Sequence, residues 1–399
     1  MEQTVKVTMA GSYDVAVCGG GIAGIAAALA AARQGKKTIL FEKGYMLGGL
    51  ATAGLITIYL PLCDGYGKQV SFGIAEELFR LSIKHGAEDR YPENWLDNVG
   101  TRTEKDKRFL VRYNAQVFAV LAEQALLEAG VDILYGSYVV DVIKKGNKID
   151  TLVTESKSGR RGYEVGSVVD ATGDCDVAWF ADAPTDTFQE GNKLAAWYYY
   201  AGQDGFDLCQ LMSAESQKLV NEAAKNNRFL LTRRFSGVTG EEQSEMVQLT
   251  HARTLEHFLK MREKDPTYWI ATMPTVPLVR MTRKLIGEYV QDDTEMHQYI
   301  EDSIGMVSDW RKRGPVYEVP FRTLYNKAVP NLVVAGRITS CTEAMWDIMR
   351  VIPCCAVTGQ AAGTAAAMTD DFGTLDIAAL QKQLEKGGVI LHEKDIPTT

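Results

Sequence analysis

Three glycines near the N-terminus have the spacing that binds the phosphates of a dinucleotide. Gly19, Gly21 and Gly24 form a GxGxxG motif that follows the β-rich run Tyr13–Cys18 and opens an alanine-rich helix predicted to end at Gln34. The first glycine of such a motif permits a tight turn, the second lets the backbone approach a pyrophosphate, and the third lets the helix pack against the sheet. The amides at the helix start carry partial positive charge and therefore attract the anion.

An acidic residue and a second glycine-rich loop follow this motif. The run Thr38–Glu42 is predicted to be the next strand, and Glu42 at its end can accept hydrogen bonds from the ribose hydroxyls of an adenosine. The loop that begins at Lys43 offers bare backbone to a long cofactor, which favours FAD over NAD. The predicted contacts in this region are Gly19, Gly21, Ile22, Ala23, Gly24, Glu42, Lys43, Gly48, Gly49, Leu50, Ala51 and Thr52.

Other catalytic motifs do not occur in this sequence. A P-loop ending at Lys36 would need a glycine at position 30, which is Ala30, and neither HExxH nor GxSxG is found. The seven cysteines include no CxxC pair, and the five histidines have no metal-binding spacing. We therefore predict no metal site, and we expect the adjacent Cys354 and Cys355 to be inert buried thiols.

Composition and charge restrict the partners of the chain. Its 399 residues are 46% hydrophobic and 24% charged, an ordinary globular balance, and the net charge is −8 without long runs of one sign. A nucleic-acid partner is not expected, because phosphate binding needs a basic surface. No signal peptide and no apolar run of about 20 residues stand out, so we expect a cytoplasmic protein without a membrane span. The oligomeric state stays open.

Three further segments carry patterns that, taken together with the N-terminal unit, are typical of one family. Val168–Asp174 reads as a strand that ends in Ala-Thr-Gly-Asp, and Pro277–Tyr289 contains an Arg-x-x-Arg…Gly-x-Tyr pattern. Asn331–Ala367 reads as a strand followed by a glycine- and alanine-rich helix. Together with Asp14–Thr52, these blocks resemble the FAD-dependent oxidoreductases of the glutathione-reductase-type Rossmann group, and within it the family related to the fumarate reductase and succinate dehydrogenase flavoproteins.

The resemblance implies an α/β fold in which a βαβ, three-layer FAD-binding Rossmann-like domain holds an inserted α+β substrate or cap domain. Residues 1–183 and 326–372 would form the discontinuous FAD-binding domain, residues 184–325 the cap, and residues 373–399 a C-terminal helix and tail. In the cap, we expect the aromatic run Trp197–Tyr200 to be mainly core. The further cofactor contacts that the resemblance implies are Val139, Ala171, Thr172, Gly173, Asp174, Gly336, Arg337, Ala356 and Gly359.

The predicted chemistry needs orientation and positive charge from the protein, because a flavin itself accepts the hydride. A helix expected to begin near Ala356–Gly359 would supply a positive dipole at the flavin N1–C2=O edge. The candidate anion clamps are Arg280, Arg283, Arg337 and Arg350, since a guanidinium fork matches a carboxylate or a phosphate. Arg337 and Arg350 flank the inferred flavin end and are favoured among the four. The histidine that family members often carry after the Gly-Arg pair is absent here, so a base role would fall to Glu343 or Asp347.

The sequence therefore predicts an FAD-dependent oxidoreductase that transfers a hydride between a small organic substrate and flavin N5. Its electron partner stays open among oxygen, a quinone, a nicotinamide and another protein. Two alternatives remain at this point. One is a flavin-binding protein with a structural or redox-sensing role, and the other is an NAD-bound synthase on the same scaffold.

Overall fold

The computed structural model describes residues 4–85, 111–212 and 233–397. The chain divides into two compact units: unit 1 comprises Met1–Thr52, Thr57–Asp186 and Lys284–Thr399, and unit 2 comprises Ala53–Ile56 and Thr187–Arg283. Unit 2 is smaller than the predicted cap of residues 184–325, because residues 284–325 pack within unit 1. The amide of Leu285, for example, donates to the carbonyl of Ile338 at 2.9 Å.

Sixteen strands and eight α-helices are labelled here in chain order within the described ranges. Up to the end of β8, the elements are β1 (Thr8–Cys18), α1 (Ile22–Ala32), β2 (Thr38–Phe41), β3 (Ile58–Tyr59), α2 (Ile74–Ile83), β4 (Val111–Arg112), α3 (Ala115–Glu128), β5 (Asp132–Leu134), β6 (Tyr138–Lys145), β7 (Lys148–Ser156) and β8 (Gly159–Asp170). The elements from there to the end of β13 are α4 (Asp176–Phe180), β9 (Thr185–Thr187), β10 (Ala195–Gly202), β11 (Gly205–Met212), α5 (Gly240–Lys264), β12 (Trp269–Thr272) and β13 (Arg283–Leu285). The remaining elements are β14 (Ser303–Ser308), β15 (Val316–Pro320), β16 (Leu332–Val334), α6 (Glu343–Met349), α7 (Ile352–Met368) and α8 (Ile377–Lys386).

A seven-stranded sheet forms the centre of unit 1. Its strand order is β5-β2-β1-β8-β7-β6, with β16 also paired to β8. Along one edge, β8 pairs in parallel with β1. Along its other edge, β8 pairs in antiparallel fashion with β7 and in parallel with β16. The parallel strands β5, β2, β1, β8 and β16 with helix α1 confirm the predicted α/β fold, and β6 and β7 extend the sheet from β8 by antiparallel pairing.

Local sequence explains the ends of several elements. Asn114 caps α3 by accepting hydrogen bonds from the amides of Gln116 and Val117, as expected for a side chain with this capping preference. Residues Val15–Cys18 of β1 are fully buried, which is typical of a parallel strand covered on both faces. Helix α1 ends at Ala32, slightly before the predicted end at Gln34. All of its residues are buried.

Glycines of α7 bring that helix into backbone contact with α1. A Cβ atom at Gly359 would lie 2.3 Å from the Ala23 carbonyl oxygen, and one at Gly363 would lie 2.0 Å from the Ala27 carbonyl oxygen. Both distances are shorter than any real Cβ contact, so only glycine fits at either position. The two helices therefore cross at a distance that no other residue type permits.

The predicted start of this helix near Ala356–Gly359 is wrong. Helix α7 begins at Ile352 and carries Pro353 in its first turn, where a missing amide hydrogen has no consequence for the helix. Ala356 and Gly359 lie further along, buried in the helix. Gly359 faces α1, so its small size serves packing and its amide is not part of the positive helix end.

No single helix in the described ranges is long and apolar enough to cross a membrane. Helices α6 and α7 pass the same test of length and composition only when taken together, and they are bent by 89° at the break between them.

The helix crossing generates the first testable prediction. Gly363→Ala forces a methyl group onto the Ala27 backbone, and overpacking of this kind costs about 1–3 kcal/mol of unfolding free energy. Thermal and urea unfolding of unit 1 should report that loss. Gly240→Ala is the matched control, because a Cβ at the first residue of α5 meets no atom within 4 Å. Equal stability of Gly363→Ala and the parent protein would contradict the close crossing.

Candidate functional site

The carboxyl ends of β1 and β8 meet where the strand order of the sheet reverses, which is the place where open α/β sheets bind ligands. The amide of Ala171 donates to the Cys18 carbonyl at 2.9 Å. Gly19 follows β1 with φ +106°, and a Cβ there would lie 2.5 Å from the Ala171 oxygen. The first glycine of the GxGxxG motif is thus required for the two strand ends to touch.

The other two glycines of the motif have different surroundings. A Cβ at Gly24 would lie 1.8 Å from the Gly19 oxygen, so this position must stay bare for α1 to pack. A Cβ at Gly21 would meet no atom of the described residues within 4 Å. Gly21 is also the N-cap of α1, and no side chain caps the helix there. An open space therefore lies beside the amides of the first turn of α1, and it fits an anion such as a pyrophosphate.

The Glu42 carboxylate joins the two glycine-rich loops. Its Oε2 accepts a hydrogen bond from the Gly20 amide at 2.8 Å, and its Oε1 accepts one from the Gly44 amide at 2.6 Å. The Glu42 residue is only 9% exposed. Each carboxylate oxygen has a second lone pair, which leaves acceptor capacity for the hydroxyls of a ribose. Sequence reasoning found Glu42 but missed Gly20 and Gly44, whose amides orient it.

The second glycine-rich loop is held directly against the first. The Gly48 amide donates to the Gly20 oxygen at 2.7 Å, and a Cβ at Gly49 would lie 3.3 Å from the Gly21 Cα. Gly49–Ala51 forms a short 3₁₀ helix, and the Thr52 hydroxyl donates to the Leu47 oxygen. Gly48 and Gly49 therefore adjoin the GxGxxG turn, and Leu50, Ala51 and Thr52 follow them in the same loop. Lys43 is exposed, and Val139 is partly buried in β6.

A buried carboxylate shapes the Ala-Thr-Gly-Asp turn after β8. Asp170 has no exposed surface; its Oδ1 accepts from the Thr172 amide and hydroxyl, and its Oδ2 accepts from the Ala178 amide. Burial raises the pKa of Asp170, and these hydrogen bonds act in the opposite direction. Asp170 was not among the predicted site residues. The signal that could have found it is an acid directly before Ala-Thr-Gly at the end of an apolar strand.

Arg337 connects the end of β16 to that turn. Its Nε donates to the Gly173 oxygen at 2.5 Å, and its Nη2 donates to Asp174 Oδ1 at 2.9 Å. The neighbouring Gly336 donates its amide to the Thr358 hydroxyl at 2.9 Å, and a Cβ at Gly336 would lie 2.9 Å from the Ala23 Cβ. The structure thus brings predicted residues of the segments Asp14–Thr52, Val168–Asp174 and Asn331–Ala367 together near the start of α1.

The predicted catalytic residues Glu343 and Arg350 lie at opposite ends of α6. Arg350 follows α6 and donates from Nε and Nη2 to Asp347 Oδ1, with its guanidinium 5.6 Å from the Trp310 ring centre. Glu343 is the exposed first residue of α6, so the helix rise separates the Glu343 and Arg350 backbones by about 10 Å. Arg283 begins β13 and belongs to unit 2. Sequence reasoning missed Trp310 as a neighbour of Arg350.

The adjacent cysteines Cys354 and Cys355 lie at the start of α7. Burial raises the pKa of Cys354 well above its ordinary value and that of Cys355 to about 12, so both thiols stay protonated near neutral pH and are poor nucleophiles. Throughout the described ranges, no three His, Cys, Asp or Glu side chains form a group that could hold a metal ion.

Comparison with known families identifies the class of this protein. The family model described as FAD dependent oxidoreductase matches residues 14–228 and 204–384. The chain belongs to this family; it is an enzyme, an oxidoreductase with FAD as its cofactor. The match favours FAD over the NAD-bound alternative and an enzyme over a purely structural flavoprotein. The narrower relationship to the fumarate reductase flavoproteins stays a prediction.

Individual relatives are more distant. The digeranylgeranylglycerophospholipid reductase of Picrophilus torridus is 32% identical over 145 residues, which cover 35% of this chain and 33% of that enzyme. The match thus spans about a third of the relative's length. THI4 from Thermovibrio ammonificans is 21% identical, with 42% of this chain and 61% of that chain covered and a TM-score of 0.31. A geranylgeranyl bacteriochlorophyll reductase-like protein from Thermoplasma acidophilum is 13% identical, with 94% and 82% covered and a TM-score of 0.44.

We predict that the largely buried Arg337–Asp174 pair contributes more coupling energy than an exposed ion pair does. Both side chains are about 15% exposed, and hydrogen bonds between charged groups contribute about 1.5–3 kcal/mol. A double-mutant cycle with Arg337→Met and Asp174→Ala, read by urea unfolding, should give a coupling energy in that range. The control cycle uses Arg33 and Glu77, an exposed pair whose coupling should stay below about 1 kcal/mol. Equal coupling in the two cycles would rule out the tether.

Proposed function

We propose that this FAD-dependent enzyme oxidises or reduces a small organic molecule by hydride exchange with flavin N5. The observation that supports the cofactor placement is the open space at Gly21, beside the uncapped first turn of α1 and next to the buried Glu42 carboxylate. These residues fit a diphosphate joined to a ribose. No second GxGxxG motif occurs in the sequence to bind a separate nicotinamide nucleotide.

The residues that would hold FAD follow from this arrangement. Gly19–Gly24 would contact the pyrophosphate through their backbone, with Ile22 and Ala23 at the first turn of α1. Glu42 would hold the ribose while the Gly20 and Gly44 amides keep its carboxylate in place. The residues proposed to border the rest of the cofactor are Gly48, Gly49, Leu50, Ala51, Thr52, Val139, Ala171, Thr172, Gly173, Asp174, Gly336 and Arg337.

Positive charge for the flavin end is available next to α7. Bound FAD supplies the hydride acceptor or donor, and its reduction places negative charge on the ring system. Arg350 immediately precedes the first turn of α7, so a guanidinium and a positive helix end follow one another along the chain. Asp347 and the Trp310 ring fix that guanidinium. We propose that Arg350 stabilises charge on the flavin or the substrate.

The reaction class is tested by anaerobic titration of the holoenzyme with fractionated metabolites, while absorbance near ~450 nm is followed. We expect at least one fraction to bleach the flavin and oxygen, a quinone or a nicotinamide to restore the colour. A flavin that dithionite reduces but no metabolite fraction bleaches would contradict substrate oxidation, and the reverse direction would then be tested with the reduced enzyme and the same fractions.

Gly21→Ala should separate cofactor binding from folding. The backbone of Gly21 is in the extended region, which alanine adopts without strain, and the added methyl group meets no protein atom within 4 Å. We expect the apoprotein to keep its parent Tm but to bind FAD about 10- to 100-fold more weakly, because the methyl group occupies the place of a phosphate. Fluorescence titration with FAD measures this, and unchanged affinity would refute the placement.

Gly24→Ala is the contrasting variant. Its methyl group would overlap the Gly19 carbonyl, so the apoprotein itself should lose stability before any cofactor is added. A Gly24→Ala apoprotein with the parent Tm would show that α1 can shift away from the turn.

Arg350→Ala should retain FAD and lose substrate-dependent flavin reduction. Removal of one preorganised charge donor typically lowers such rates by two to three orders of magnitude. Arg350→Lys should recover only part of the rate, because the lysine ammonium restores the charge but not the paired N–H donors of the guanidinium. Arg311→Met is the matched control: Arg311 also approaches Asp347, at 3.7 Å, but bonds mainly to Asp309. Parent-like stopped-flow reduction in Arg350→Ala would make Arg350 a structural residue.

A further inference from the structure

An indole N–H in unit 2 is buried, and the described part of the chain offers it no acceptor. Trp197 is 8% exposed, and its Nε1 has no hydrogen-bond partner among the described residues. More than nine in ten buried polar groups in proteins are paired, so an unpaired donor calls for an explanation. The Trp197 donor is therefore expected to meet, in the working protein, an acceptor that lies outside the described residues.

The position of Trp197 in the sheet shows which face this donor belongs to. The adjacent Tyr198 bonds to His257 of α5 and to Tyr268, so α5 covers the face of β10 on which Tyr198 lies. Successive side chains of a strand point to opposite faces, and Trp197 consequently lies on the face away from α5. The guanidinium of Arg280 lies there, 5.8 Å from the centre of the Trp197 ring.

The backbone that carries Arg280 is fixed by a buried asparagine. Asn192 Oδ1 accepts hydrogen bonds from the amides of Arg280 and Met281, both at 3.0 Å. Its Nδ2 donates to the oxygens of Met281 and Phe235 at 2.5 and 3.1 Å. Asn192 is 4% exposed. The cation beside the unpaired indole is thus attached to a rigid part of unit 2.

We propose that Trp197 and Arg280 form an oxyanion subsite for the substrate of the proposed reaction. The unpaired N–H supplies a directional donor, and the neighbouring guanidinium sets the sign of the charge that is favoured there, since arginine is always protonated. A carboxylate fits this pair best, because its two oxygens can accept from the indole and from the guanidinium at once. The inference rests on the proposed function only in identifying the ligand as the substrate.

The test observes the indole directly in the holoenzyme. Labelling with ¹⁵N-indole tryptophan gives six side-chain N–H signals, one for each tryptophan, and Trp197→Phe assigns the signal of interest. Acetate, succinate and benzoate serve as carboxylate probes, inorganic phosphate as the second oxyanion, and acetamide and benzamide as neutral analogues. We expect at least one oxyanion to move the Trp197 proton signal downfield in a saturable way, and the neutral analogues to leave it in place.

Two variants connect the signal to affinity. Trp197→Phe removes the N–H and keeps a ring, and Arg280→Met removes the charge and keeps the stem. Each should weaken binding of the best oxyanion about 10- to 100-fold by calorimetry, the usual effect of a lost charge-assisted hydrogen bond. Controls are Trp269→Phe, which changes an exposed indole of unit 2, and Arg262→Met, which changes another arginine over an aromatic ring. Both should bind like the parent.

The outcomes distinguish this inference from the proposed reaction. A Trp197 signal that none of the oxyanions shifts would overturn the subsite and leave a buried water as the acceptor. Binding that survives in Arg280→Met, with the parent Tm, would do the same. Saturable oxyanion binding in an enzyme whose flavin no metabolite bleaches would uphold the subsite and count against the reaction instead.

Discussion

The structure of unit 1 depends on direct backbone contact around helix α1, which only glycine permits. The Gly24 position lies against the Gly19 carbonyl, and Gly359 and Gly363 of α7 lie against the carbonyls of Ala23 and Ala27. Any side chain at these places would push α1 away from the sheet or from α7. Because α1 is fixed on both sides, its first turn has one position relative to the ends of β1 and β8. That position leaves the space beside Gly21 open.

Buried carboxylates then organise the loops around this space. Glu42 binds the Gly20 and Gly44 amides, and Asp170 binds the amides of Thr172 and Ala178. Both acids accept mostly from backbone N–H groups, so they set loop geometry more than they balance side-chain charge. Hydrogen bonds to a charged acceptor are strong and directional, and a buried acid stays ordered only when they are satisfied. The turn and the second loop consequently have defined shapes before a cofactor arrives.

The arginines of this chain differ in what holds them. Arg337 is engaged by Gly173 and Asp174 and acts as a tether between two segments of the Rossmann-like unit. Arg350, just before the start of α7, is held by one oxygen of Asp347 and by the Trp310 ring. Arg280 lies beside the Trp197 indole, whose N–H has no acceptor in the ranges that the structure describes. A fixed guanidinium is preorganised for a negative charge, which is what a reduced flavin or an oxyanion substrate presents.

The sequence by itself determined the class of fold and the position of the glycine-rich turn at the start of α1. Glycine spacing, a strand on either side and an acid at the next strand end are local features, and Gly19, Gly24 and Glu42 lie where that pattern requires. Asn114 likewise fixed the start of α3. The tertiary structure alone decided that α7 begins at Ile352, that 284–325 belongs to unit 1, and that Glu343 and Arg350 lie at opposite ends of α6 while Arg283 begins β13. Helix starts and side-chain partners depend on contacts between residues far apart in the chain, such as Arg350 with Trp310, and periodicity along one segment carries no information about them.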